Sequence, residues 1–177
     1  MKKLISIMLV LVMAVSLFAG CGSKDAAKPA LEGTMEEIAN KIAEKMPLDT
    51  MAGTATVDLT DTSEEGLWAV NYNTGLENGD KLSDLAVYEP MMGSMAFSLV
   101  LARVKDAADA KAVAQEMNEK INTRKWICVE ADSKMVAVYG DVVMLIMLDS
   151  VLDPNLTAQG YVDAFRELCG ADLDFTA

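Results

Sequence analysis

The chain has 177 residues, of which 52% are hydrophobic, enough for a single packed core, so a wholly disordered chain is excluded. Its net charge of -12, from 15 basic and 27 acidic side chains, argues against nucleic acid as a partner. There is no His, which removes the commonest general base and the commonest zinc ligand.

In chain order, the first element is an export signal. Met1-Lys2-Lys3 is a short positive start, an apolar run follows from Leu4 to Gly20, and small residues precede Cys21. The sequence Leu17-Phe18-Ala19-Gly20-Cys21 resembles a lipobox, with Phe18 where that motif prefers Leu. The resemblance implies cleavage after the Ala19-Gly20 pair and lipidation of Cys21. Two acyl chains hold a protein stably at a membrane, at ~0.8 kcal/mol per buried CH₂. An uncleaved apolar helix oriented by the Lys pair would leave the rest of the chain on the same extracytoplasmic side. Residues 21–33 read as a flexible tether spanning on the order of 20 Å. Residues 34–177 then form one domain. It is two units more acidic than the whole chain is with Lys2 and Lys3 retained.

Within the domain, Thr34 and Glu37 form a capping box that opens a helix running to about Met46, stopped by Pro47. Residues 54–59 suit a short edge strand, and Thr62 with Glu65 a cap for a helix through Trp68 and Val70. Leu85 to Glu89 reads as a strand ended by Pro90. In Ser94 to Val104, the large Met95, Phe97, Leu99 and Leu101 alternate with smaller residues, the pattern of a strand covered on both faces. Asp106 caps a helix to about Ile121. Met135 to Tyr139 and Val142 to Leu148 flank Gly140-Asp141 as a hairpin. Thr157 caps a last helix whose stripe includes Tyr161, Phe165 and Cys169, stopped by Gly170. These elements predict an α+β fold, a small mainly antiparallel sheet with helices packed on it.

Tyr88-Glu89-Pro90, the strand through Phe97 and Leu101, the helix from near Ala107, Trp126 and the Val138–Val143 hairpin stand in an order that resembles the domain-of-unknown-function family 4358 of Gram-positive lipoproteins. The resemblance covers roughly residues 34 to 148. It implies a surface-tethered binding or sensing domain and carries no functional residues to transfer.

No catalytic constellation is evident. Without His, a Ser-Lys pair or paired carboxylates are the remaining routes to an enzyme acting on the envelope. The carboxylates at Asp58, Asp61, Glu64, Glu65, Asp149 and Asp153 lack calcium-loop spacing and read as a solvated acidic surface, so no metal or cofactor is expected. Cys128 and Cys169 are expected as buried thiols, with a disulfide as the alternative. Trp68, Tyr72, Tyr88, Met91 and Met92 are the candidate surface for a protein or peptide partner, set against a reading in which Trp68 and Trp126 anchor the core. The expected function is therefore a lipid-anchored, extracytoplasmic binding or assembly module of the cell envelope. An enzyme or a purely structural lipoprotein is the alternative.

Overall fold

The computed structural model describes residues 30–177. Ala19, Gly20 and Cys21 lie outside them. The fold is α+β: among the described residues, four α-helices cover the two faces of a six-stranded antiparallel sheet. The helices are α1 (Met35–Lys45), α2 (Glu64–Thr74), α3 (Ala110–Lys120) and α4 (Ala158–Cys169). The strands are β1 (Ala52–Thr56), β2 (Leu82–Pro90), β3 (Phe97–Val104), β4 (Ser133–Tyr139), β5 (Val142–Leu148) and β6 (Phe175–Thr176), in the order β1-β2-β3-β5-β4-β6.

Alternation along the strands sends side chains to two separate cores. Phe97, Leu99, Leu101, Met144 and Ile146 face α1 and α4, meeting Met35, Ile38, Ile42, Tyr161 and Phe165. Val100, Ala102, Val136, Val143 and Leu145 face α2 and α3, meeting Val70, Val113 and Met117. All seven residues of β5 are buried, as a strand covered on both faces requires. Met35, Met117, Met144 and Met147 fill these cores, the use expected for much of the Met content.

Local signals set most boundaries. The Thr34–Glu37 capping box forms in both directions, and Thr157 accepts from the Gly160 N–H at 3.0 Å. Gly140, with φ 57°, turns the β4–β5 hairpin. Other boundaries shift. Ser63, not Thr62, caps α2 by accepting from the Gly66 N–H. The edge strand is Ala52–Thr56 rather than 54–59, because Asp58 instead folds back to accept from the Thr60 N–H at 2.8 Å. Asp106 caps a single 3₁₀ turn, Ala107–Asp109, that leads into α3. Pro90 lies inside β2, at its last residue next to the edge strand, where a missing N–H is tolerated.

Gly75 ends α2 with φ 77°, and a Cβ there would sit 2.5 Å from the Ile121 nitrogen. Gly75→Ala should therefore cost at least about 2 kcal/mol, strain and backbone clash together, in a denaturant titration. Asp58, Asp61 and Asp132 have carboxyls held below the ordinary value of 3.8, mainly by hydrogen bonds from Thr60, Ser63 and Ser150 respectively. A lowered folded value stabilises above the unfolded one and is lost as pH falls through it. Unfolding midpoints should accordingly be flat above about pH 5 and decline below about pH 4. A flat profile down to pH 2 would contradict this.

Candidate functional site

Of the residues that form the polar centre of the domain, Tyr72 is among the predicted site residues and Lys125, Glu89, Ser98 and Asn73 are not. The centre lies between β2, β3, α2 and residues 121–132, the irregular segment joining α3 to β4. Lys125 brings its ammonium within 2.7 Å of Glu89 Oε1, with side-chain exposures of 1% and 27%. The ammonium also donates to Ser98 Oγ at 3.2 Å and to Asn73 Oδ1 at 3.3 Å. Its remaining surroundings are aromatic: it lies 4.7 Å from the Tyr72 ring centre and 5.4 Å from that of Trp126. Cation–π contact with desolvated rings offsets part of the lost hydration. Tyr72 closes the arrangement by donating its hydroxyl to the Lys125 carbonyl at 3.2 Å.

Burial pushes the Lys125 ammonium below its usual range, and the Glu89 carboxylate pulls it back. Burial, followed by the same carboxylate, pushes the Tyr72 phenol up. A Ser-Lys pair is thus present, as Ser98 and Lys125. Its geometry does not suit nucleophilic chemistry: Ser98 is completely buried, and the carboxylate at 2.7 Å favours the charged lysine that cannot act as a base. The arrangement pins residues 121–132 to the sheet. Ser98 carried a trace of this in the sequence, as one hydroxyl on the small-residue face of β3 between Ala96 and Val100. Lys125 carried none.

The five predicted surface residues separate. Trp68 is 60% exposed and stacks on Tyr72 at 4.7 Å, so it does not anchor the core. Trp126 is the partly buried one, packed against the core on the α2–α3 face of the sheet. Tyr88 points through the other face of the sheet, edge-on to Phe97 at 6.1 Å, and joins no surface with Trp68. Met91 and Met92 are exposed at the end of β2, where the Met91 N–H donates to the Met51 carbonyl. Cys128 is exposed with φ 65°, contrary to the expectation of a buried thiol, and it is not bridged to Cys169. The apolar run Trp126-Ile127-Cys128-Val129 forms part of a loop, with Ile127 also exposed. No group of three or more His, Cys, Asp or Glu able to hold a metal ion occurs among the described residues.

Apart from Leu67 and Trp68 on α2, the large exposed apolar side chains among the described residues gather at one end of the sheet. Met51 precedes β1, Met91 and Met92 follow β2, Ile127 lies in the segment leading to β4, and Val151 follows β5. The register puts the start of β1, the end of β2, the start of β4 and the end of β5 at this same end. At the opposite end, Arg103 makes two hydrogen bonds to Asp141, at 2.8 and 2.7 Å, and donates to the carbonyls of Leu31 and Gly33. The chain entering from residue 30 is fastened there. From Arg103 to Ser98 is about 17 Å along β3 at ~3.3 Å per residue.

The structure thus defines an α+β domain with a closed polar centre and an apolar end remote from the entry of its N-terminal segment. No family model matches the chain, and no curated protein or solved structure does either.

Proposed function

We propose that the protein is a lipid-anchored extracytoplasmic binding module, held to the membrane through Cys21 and presenting its apolar end to a partner protein of the cell envelope. The observation that carries this reading is the separation of the two ends. The side chains that water would least favour, at Met51, Met91, Met92 and Ile127, cluster away from the end where Arg103 fastens residues 31–33. Exposed apolar clusters of this kind mark contact sites, and Met supplies adaptable contact. The buried Ser98 argues against the envelope-enzyme alternative. A similarity to the lipoproteins of family 4358 would fit the same reading.

Two measurements test it. Cells fed a clickable fatty acid should label the wild-type protein and not Cys21→Ser; an unlabelled wild-type protein would reject the anchor. Site-specific photocrosslinkers at Met91 and Ile127 should capture a defined partner in intact cells, while one at Lys111, beside Phe175 and away from that end, should not. Ile127→Ser with Met91→Ser should abolish capture while moving the thermal midpoint little, since exposed substitutions stay within about 0.5 kcal/mol each.

A further inference from the structure

The two edges of the sheet differ. On one side β6 pairs with β4 at Ala137 and Val138, and Ala177 exchanges hydrogen bonds with Val136. On the other side, among the described residues, β1 pairs with β2 alone. The Val57 N–H donates to Leu85 and the Met51 carbonyl accepts from Met91, so in an antiparallel ladder residues 51, 53, 55 and 57 turn their backbone groups towards β2. Ala52, Thr54 and Thr56 therefore turn theirs outward. Ala52-Gly53-Thr54-Ala55-Thr56 contains no charge and no Pro, the usual protections of an edge.

The flanks of this edge are chemically distinct. On the α1 face, Thr54 donates its hydroxyl to Asn40 Oδ1 at 2.6 Å. Glu36 and Glu44, one helical turn to either side of Asn40, are both exposed, so an acidic stripe runs beside the strand. On the other face, a Cβ on Gly53 would lie 3.6 Å from Met91 Cε, and Met51 stands at the head of the strand. One side of the open edge is acidic and the other apolar.

We propose that β1 takes up an extended segment of a partner protein as a seventh strand, and that this segment alternates basic and apolar residues. Its backbone would pair with Ala52, Thr54 and Thr56. Its basic side chains would face Glu36 and Glu44, and its apolar ones would lie beside Gly53 and Met91. Strand addition draws affinity from the backbone and specificity from alternate side chains. Charge also chooses against a second copy, because two such edges would bring the same acidic stripes together. The proposal rests on the binding reading above and names the partner's chemistry.

The test uses the full chain in neutral detergent micelles and three ten-residue peptides: alternating Lys and Val, alternating Glu and Val, and a peptide of the first composition with its Lys and Val in two blocks. Amide hydrogen exchange at Ala52, Thr54 and Thr56 should slow at least tenfold with the alternating Lys-Val peptide only, and less so as salt is raised. Thr54→Pro removes the central outward N–H and should abolish the protection. Glu36→Lys with Glu44→Lys, both at exposed positions, should weaken the Lys-Val peptide at least tenfold and admit the Glu-Val peptide, and this holds as a test even if Thr54→Pro misfolds. Equal response to all three peptides, an unchanged preference after the charge exchange, or protection that grows with protein concentration or with added lipid alone would overturn it. Fatty-acid labelling at Cys21 is independent of these readouts, so loss of the anchor and loss of the strand site are separately visible.

Discussion

Lys125→Met should lower stability by about 3 kcal/mol, because removing one partner of a buried ion pair strands the other groups it satisfied. Glu89 would lose the cation 2.7 Å away, and Ser98 and Asn73 would each lose a hydrogen bond inside a packed face. The damage should be local in its kinetics. Core packing of Trp126 and the hydrogen bonds from Ser150 to Asp132 also hold residues 121–132, but around Arg124 the ties are this ammonium and the bond from the Tyr72 hydroxyl on α2, so cleavage by trypsin after Arg124 should accelerate well before global unfolding. Adding Glu89→Gln to the variant should recover part of the loss, since the unpaired charge is then gone. A denaturant titration showing less than about 1 kcal/mol for Lys125→Met would mean that the pair merely breaks even with an apolar replacement.

Phe97→Ala should cost more, about 4 kcal/mol, or a fall of roughly 10 °C in thermal midpoint. The ring is completely buried at the start of β3, edge-on to Tyr88 and 5.3 Å from the Tyr161 ring. Tyr161 cannot easily shift into the space, since its hydroxyl donates to the Met46 carbonyl at 2.8 Å. The hole would open between β3, α1 and α4, and bulky substitution with Leu should restore most of the loss. Calorimetry on the two variants decides this: equal midpoints for Ala and Leu would show that the site collapses freely.

Much of the fold could be read from periodicity. Thr34 with Glu37, Thr157 with Gly160, and Gly140-Asp141 act through contacts of three residues or fewer, and each does what its local chemistry predicts. The alternation in β3 likewise revealed two covered faces. What escaped depends on residues far apart in the chain. β6 is only two residues long, so its pairing with β4 leaves no pattern to detect. The Lys125 centre draws on α2, β2, β3 and a loop, and a single lysine beside Trp126 looks like any surface lysine until the chain has closed around it. Trp68 was ambiguous for a related reason. The apolar residues of its helix do not form one stripe, so sequence alone does not decide which side of Tyr72 it occupies.

The grip of Arg103 on Leu31 and Gly33 also has a mechanical meaning. Tension on the chain ahead of residue 30 meets the guanidinium first, and through Asp141 passes to the turn of the β4–β5 hairpin. Load is thus shared by β3 and β5, the two innermost strands, which pair with each other along seven residues.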